Sequence, residues 1–218
     1  MINNTLSDII LRRRSIREFT AEEIDIDTVT SIIDIASHAP SNNNRQGWKF
    51  FVITDKSIID KMSRMVEIKL KESKSGSESL NEFMEEYRGN FTVFKNAPVV
   101  VICCFMKPAK FNFKIFSIDD ENRHFTGELI SVSLAMQNIM LLSESVDIGT
   151  LVMTAPLVAA HEIKEAVNIP ARYSIAAFIC MGKYGSRPEC PSHKKPEEII
   201  IINSINNKEE NQFDRADG

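Results

Sequence analysis

An almost unbroken apolar run, APVVVICCFM at residues 97–106, constrains the fold of this chain more than any other feature. A strand with one solvated face alternates apolar and polar residues, whereas this run predicts a strand that is covered on both faces. Two further stretches rich in β-formers, WKFFVIT at 48–54 and YSIAAFICMG at 173–182, predict strands of the same sheet. A sheet that is buried in this way needs helices packed against it.

Helical patterns fill most of the remaining chain. Helices are predicted at residues 5–14, from Asp27 as a capping residue to a point before Pro40, at 56–88 with a turn at 73–79, at 122–147 and at 156–169. We identify neither an internal repeat nor a domain linker. Residues 1–218 are therefore predicted to form a single α+β domain with a mixed sheet.

The helix predicted at 122–147 is apolar on most sides between Leu129 and Leu142. Such a helix is either buried in the core of its own domain or packed against a partner. We favour an obligate homodimer, because obligate interfaces resemble a hydrophobic core cut in half. A plain core helix is the alternative.

Composition and spacing exclude several classes of protein. The formal net charge of −4 and the isoelectric point of about 5.7 disfavour general nucleic-acid binding. No apolar run approaches the roughly 18 residues of a membrane span, and the N-terminus lacks the apolar core of a signal peptide. The four cysteines have neither zinc spacing nor a disulfide framework, so we expect reduced thiols and a cytoplasmic protein. The eight glycines form no dinucleotide fingerprint or phosphate loop, so side chains would have to hold a phosphorylated cofactor.

The stretch RRRSIREF at residues 12–19 places four arginines in six positions of an acidic chain, and we call residues 12–17 the arginine segment. In extended backbone alternate side chains lie on one face, so Arg13, Ser15 and Arg17 would share a face. Two guanidinium groups and a hydroxyl on one face suit a phosphate, because arginine presents a planar fork of donors to its oxygens. A solvated basic surface is the alternative.

The stretch SNNNRQG at residues 41–47, which we call the amide loop, carries four amide side chains and a serine within six positions. It lies between a predicted helix and a predicted strand. Amides both donate and accept hydrogen bonds, which suits the edge of a flat heteroaromatic ring with carbonyls and ring nitrogens. The alternative is a simple connecting loop, because asparagine is common in turns.

Three motifs in order resemble the nitroreductase family of flavin enzymes: RRSIREF at 13–19, APSNNNRQGW at 39–48 and a C-terminal stretch at 178–200. The resemblance implies an α+β sandwich that forms an intertwined homodimer, with FMN bound at the interface by residues of both subunits. The cofactor-binding residues that it implies are Arg13, Arg14, Ser15, Arg17, Pro40, Ser41, Asn42, Asn44, Gln46, Asn90 and Lys194.

The resemblance also implies individual roles for these residues. Arg13 and Arg17 would contact the phosphate and ribityl chain of FMN, and the partner subunit would lay its amide loop against the flavin. Lys194, or Lys195 in a shifted register, would be the C-terminal phosphate-binding base. Residues 153–155 should approach the ring. The chain departs from the family pattern at Gly47, where proline is usual, and in having lysine where a C-terminal arginine is common.

The implied activity is the transfer of electrons from NADH or NADPH through FMN to a small acceptor, by a ping-pong mechanism. The acceptor would be a nitroaromatic, a quinone or a flavin. The flavin carries the chemistry, so we expect no catalytic acid, base, nucleophile or metal ligand. The alternatives are a flavin-binding carrier or sensor without efficient turnover, and a plain dimeric structural domain. Residues 107–125, with three phenylalanines, either cover the pocket or pack on their own domain.

Overall fold

A four-stranded sheet forms the centre of the structure. The computed structural model of the chain describes residues 4–72, 88–106 and 126–202. Residues 1–188 form one compact unit, and residues 189–218 form a second, smaller one. The strands of the first unit are β1 (Trp48–Ile53), β2 (Val99–Met106), β3 (Gly149–Met153) and β4 (Tyr173–Gly182).

The strands lie in the order β1-β2-β4-β3, and each neighbouring pair is antiparallel. The parallel element of the predicted mixed sheet is an isolated bridge between Ser15 and Thr150, next to β3. Every residue of β2 except Met106 is buried, which explains the absence of polar residues from its sequence. The three predicted strands are confirmed, and β3 is an additional strand that the sequence interpretation missed.

Among the described residues, five helices belong to the first unit and one short helix belongs to the second. Their bounds are α1 (Asn4–Arg12), α2 (Ile26–Ala36), α3 (Lys56–Glu72), α4 (Thr126–Ser145), α5 (Ala160–Ala166) and α6 (Pro196–Ile199). Three-residue to five-residue 3-10 helices lie at Asn42–Asn44, Val93–Asn96 and Ala155–Ala159. The predicted turn at 73–79, the start of the helix predicted at 122–147, and the segment 107–125 lie outside the described residues.

Two local predictions are wrong. Asp25, not Asp27, caps α2, because its carboxylate accepts the backbone N–H groups of Asp27 and Thr28. The helix predicted at 156–169 is divided into the 3-10 helix Ala155–Ala159 and α5, which ends at Ala166. Pro156 lies in the first turn of the 3-10 helix, where its missing N–H costs no hydrogen bond.

Helices pack against both faces of the sheet. One hydrophobic cluster joins α3 and α5 to alternate residues of β2, and it includes an edge-to-face pair of Phe94 and Phe178 with ring centroids 5.3 Å apart. A second cluster joins α2 and α4 to the other residues of the same strand. The predicted α+β class with a central sheet and flanking helices is confirmed. The exact sandwich arrangement, the intertwined dimer and the single-domain extent stay predictions.

Helix α4 buries one side and exposes another. Val132, Ala135 and Ile139 are completely buried, whereas Leu129, Ile130 and Leu134 are 41–54% exposed. We call these three residues the α4 stripe. Among the helices that the structure describes, none has both the length and the hydropathy that crossing a bilayer requires.

Candidate functional site

Beyond Arg12, which ends α1, the arginine segment passes beside β3, where Ser15 forms a bridge with Thr150. The backbone N–H of Ile16 donates to the Thr150 carbonyl at 2.9 Å, and the Ile16 side chain is only 2% exposed. Because neighbouring side chains of extended backbone point to opposite sides, a buried Ile16 leaves Ser15 and Arg17 on the outer face. The structure places Arg17 at the surface and Arg13 in a half-buried position.

Two arginines of the segment hold protein groups. Arg12 pairs with the buried carboxylate of Glu144, with Nε 3.0 Å from Oε1, and its Nη2 donates to the Glu144 carbonyl at 2.8 Å. Arg187 reaches the same carboxylate oxygen at 2.8 Å. Arg14 folds back on α1, where its Nη1 donates to the carbonyls of Leu11 and Arg13 at 2.6 and 2.7 Å.

Arg13 and Arg17 differ from these two residues. Within the described part of the chain neither forms an ion pair with a carboxylate, and the one hydrogen bond of the Arg17 guanidinium, to the Ser15 carbonyl, is long at 3.4 Å. Among the described residues, no carboxylate therefore neutralises their charge. The sequence interpretation missed Glu144 and Arg187, and no local pattern pointed to them.

A cavity of about 310 Å³ brings several predicted residues together. Its lining consists of Arg17, Asn90, Val93, Leu151, Val152, Met153, Thr154 and Ala155. Arg17 and Asn90 are far apart in sequence, and the whole segment predicted near the flavin ring, 153–155, lines the same cavity. The site therefore combines a cation and an amide with an apolar floor supplied by β3.

The three buried cysteines of the described structure are not reactive thiols. The Cys180 thiol lies 3.6 Å from the sulfur of Met153, and burial raises the pKa of Cys180 to about 12. Burial also raises the pKa of Cys104 to about 12 and that of Cys103 well above its ordinary value. These thiols stay protonated at neutral pH, so they are not nucleophiles. No group of three or more metal-binding side chains occurs within residues 4–72, 88–106 and 126–202.

The amide loop has an unusual backbone. Asn43, Asn44 and Gln46 have φ values of 50°, 54° and 49°, in the left-handed region that asparagine tolerates better than most residues. The Gln46 N–H donates to the Ser41 hydroxyl at 3.0 Å, and the Gln46 amide donates to Asn44 Oδ1 at 3.1 Å. Among the described residues, no member of the loop, nor Pro40, lines the 310 Å³ cavity of its own chain.

The loop is docked on the first turns of α4. The Asn42 N–H donates to the Ser131 hydroxyl at 3.0 Å, and Arg45 Nη1 lies 3.4 Å from Glu128 Oε1. A Cβ at Gly47 would lie 3.0 Å from Glu128 Oε2, so the departure from proline at this position coincides with a buried carboxylate next to it. The sequence interpretation assigned no role to Glu128 or Ser131.

The predicted phosphate-binding lysine lies in the second unit. Lys194 and Lys195 are both exposed, and the Lys195 backbone N–H donates to Glu198 Oε1 at 2.9 Å, next to the start of α6. Whether Lys194 or Lys195 meets a phosphate stays a prediction.

Comparison with known proteins places this geometry in context. The model of the nitroreductase family matches residues 10–183. The chain is 26% identical over 200 residues to an iodotyrosine deiodinase from Thermotoga neapolitana, with 90% of this chain and 96% of that protein covered. A BluB-like flavoprotein from Clostridium difficile 630 superposes with a TM-score of 0.80 at 24% identity, covering 91% of this chain and 99% of that one. An NADPH:FMN oxidoreductase from Vibrio harveyi, complexed with NAD+, gives a TM-score of 0.70 at 19% identity, with coverages of 92% and 78%.

Proposed function

The chain belongs to the nitroreductase family, an oxidoreductase family, and on this premise we propose that it binds FMN and passes electrons from NADH or NADPH to a small acceptor. The observation that carries the proposal is the cavity that joins Arg17 and Asn90 above an apolar floor. All of its lining residues fall within the segment that the family model matches.

The residues of the cavity fit FMN chemically. A phosphate monoester carries close to two negative charges near neutral pH. Arg17 in the cavity, and Arg13 outside its lining, are cations without a carboxylate partner among the described residues. The Asn90 amide can donate to or accept from the edge of the ring, and Leu151, Val152 and Met153 offer a surface for its face. FMN supplies the redox chemistry when bound, while the protein binds and orients it and keeps water away.

A homodimer would complete this site. At about 310 Å³, the cavity of one chain lies at the lower end of the roughly 300–1,000 Å³ of small-molecule sites. The amide loop does not line its own chain's cavity among the described residues, which agrees with a loop that serves the partner subunit. The exposed α4 stripe supplies apolar surface for the association, and Ile10 and Leu11 of α1 add to it at 50% and 69% exposure.

Both substrates would use the same pocket in turn. The sequence contains no second nucleotide-binding motif, so the nicotinamide has to leave before the acceptor enters. Arg17 and Asn90 would hold and orient the cofactor, and the buried Cys180 thiol stays neutral beneath it. Initial rates measured at several acceptor concentrations should give parallel double-reciprocal lines. Intersecting lines would contradict a ping-pong mechanism in one pocket.

The direct experiment is purification of the recombinant chain followed by anaerobic addition of NADH or NADPH. We expect a yellow protein with one FMN per chain that elutes as a dimer in light scattering and is bleached by the nicotinamide. A yellow protein that is not bleached would be a carrier or sensor without efficient turnover. A colourless protein that takes up no added FMN would contradict the proposal.

Reductive dehalogenation is a second candidate activity for the same site. The observation that favours it is the similarity to an iodotyrosine deiodinase along 90% of this chain. Release of iodide from 3-iodotyrosine by the reduced protein, faster than reduction of nitroaromatics or quinones, would select this activity. Turnover of the nitroaromatic or quinone without iodide release would exclude it.

A further inference from the structure

The amide loop holds a backbone conformation that needs outside support. Three of its residues, Asn43, Asn44 and Gln46, lie in the left-handed region, and none of them is a glycine. Such conformations persist only when surrounding contacts enforce them. The hydrogen bonds within the loop join neighbouring residues, for example the Asn44 N–H and the Ser41 carbonyl at 2.9 Å, and they would move together with the loop.

Ser131 supplies a contact from outside the loop. Its hydroxyl donates to the Gly127 carbonyl at 2.6 Å, which directs an oxygen lone pair to the Asn42 N–H 3.0 Å away. Ser131 is 3% exposed, so water does not compete freely for this bond. The hydroxyl thus links the first turn of the 3-10 helix in the loop to the backbone of α4.

Glu128 and Gly127 supply the second contact. Glu128 is 5% exposed, and a buried carboxylate requires a nearby cation or donor, which Arg45 of the loop provides at 3.4 Å. A Cβ at Gly127 would lie 2.9 Å from the side-chain nitrogen of Asn42. The missing side chain at Gly127 therefore leaves room for the Asn42 side chain to pack against α4.

We propose that the first turns of α4 fix the conformation of the amide loop, with Ser131 and Glu128 as positioning residues for its amide side chains. The consequence for FMN rests on the proposed function of the loop as part of the cofactor site. The α4 stripe begins at Leu129, one residue after Glu128, so the residues that hold the loop and the surface that would pack against a partner subunit belong to the same turns of α4.

Hydrogen exchange of the Asn42 and Gln46 backbone amides, followed by NMR on the full-length protein as purified, tests the proposal. Ser131→Ala removes one hydrogen bond, so exchange of these amides should accelerate by about three- to tenfold. Ser145→Ala is the matched control, because the Ser145 hydroxyl donates to the Leu142 carbonyl at 2.7 Å at the far end of the same helix. It should change the exchange by less than about twofold.

Gly127→Ala provides an independent variant. Alanine is the better helix former, so α4 itself should be retained or strengthened, as circular dichroism would show. The added methyl group must nevertheless displace the Asn42 side chain, and exchange in the loop should rise. Glu128→Gln keeps the size of the side chain, removes its charge, and should have the same effect on the loop.

A separate titration with FMN distinguishes failure of this proposal from failure of the proposed function. Ser131→Ala should weaken FMN binding by about three- to tenfold, whereas Ser145→Ala should bind like the parent. Unchanged exchange in Ser131→Ala and Gly127→Ala would overturn the assignment of α4 as the support of the loop. Faster exchange with unchanged FMN affinity would overturn the positioning role. If the parent protein binds no FMN and Ser131→Ala still accelerates exchange in the loop, the proposed function is refuted and the α4 contact is supported.

Discussion

Replacement of Arg17 by alanine tests whether this arginine binds the cofactor or is only a surface charge. Arg17 is exposed, lines the cavity and, among the described residues, has only a long 3.4 Å hydrogen bond to the Ser15 carbonyl. Its removal should therefore change the free energy of unfolding by no more than about 0.5 kcal/mol. A hydrogen bond to a charged group contributes about 1.5–3 kcal/mol, and 1.4 kcal/mol corresponds to a factor of ten in affinity. FMN binding should therefore weaken by about one to two powers of ten.

The assay is titration of FMN into the apoprotein by fluorescence quenching, with urea unfolding to measure stability. Arg64→Ala is the matched control, because Arg64 is an exposed arginine on α3 and does not line the cavity. It removes the same charge and should leave FMN affinity within about twofold of the parent. If Arg17→Ala binds FMN as tightly as Arg64→Ala does, the phosphate role of the arginine segment is wrong.

Three further predictions concern stability. The Ser63 hydroxyl is buried without a hydrogen-bond partner in the described structure, so Ser63→Ala should raise the free energy of unfolding in urea by about 1 kcal/mol. Ser143→Ala is the control, because the buried Ser143 hydroxyl donates to the Ile139 carbonyl at 2.7 Å, and this change should not raise the free energy of unfolding. Glu144→Gln should lower the free energy of unfolding by about 1–2 kcal/mol. This loss is smaller than for a wholly buried ion pair, because the Arg12 side chain is 42% exposed. A change below about 0.5 kcal/mol would contradict this prediction. The pKa of Cys180 is about 12 in the folded chain, so the unfolded chain loses this proton first, and stability should fall from about pH 8.5 to 12. Cys180→Ala should flatten that decline by up to about 1.4 kcal/mol per pH unit, and an unchanged slope would refute the assignment.

The sequence predicted those parts of the fold that depend on local pattern. Strand β2 was predictable because an unbroken apolar run of this length fits a strand covered on both faces. Strand β3 was not, because its five residues, GTLVM, form an apolar run too short to be told from a buried helix by periodicity. Its identity becomes clear only from the pairing of Gly149–Met153 with Phe178–Gly182. The choice between Asp25 and Asp27 as the cap of α2 likewise depends on backbone angles that the repeated IDID pattern leaves open.

The candidate site was predictable where residue type alone carries the chemistry. Clustered arginines and amides indicated an anion and a heteroaromatic ring before any geometry was known, and the structure then brought Arg17 and Asn90 to one cavity. The buried carboxylates were not predictable. Glu128 and Glu144 meet arginines that lie 83 and 132 residues away in sequence, so their burial depends on tertiary packing. An acidic residue in a helix is ordinarily exposed, and nothing in the local pattern distinguishes these two.

A crystal structure of the protein grown with FMN tests the central claim most directly. We expect one FMN per chain in the cavity lined by Arg17 and Asn90, with the phosphate within hydrogen-bonding distance of the Arg17 guanidinium and the ring over residues 151–153. We also expect the amide loop of a partner subunit to lie against the ring. FMN bound at another place, or bound with Arg17 turned to solvent, would contradict the account.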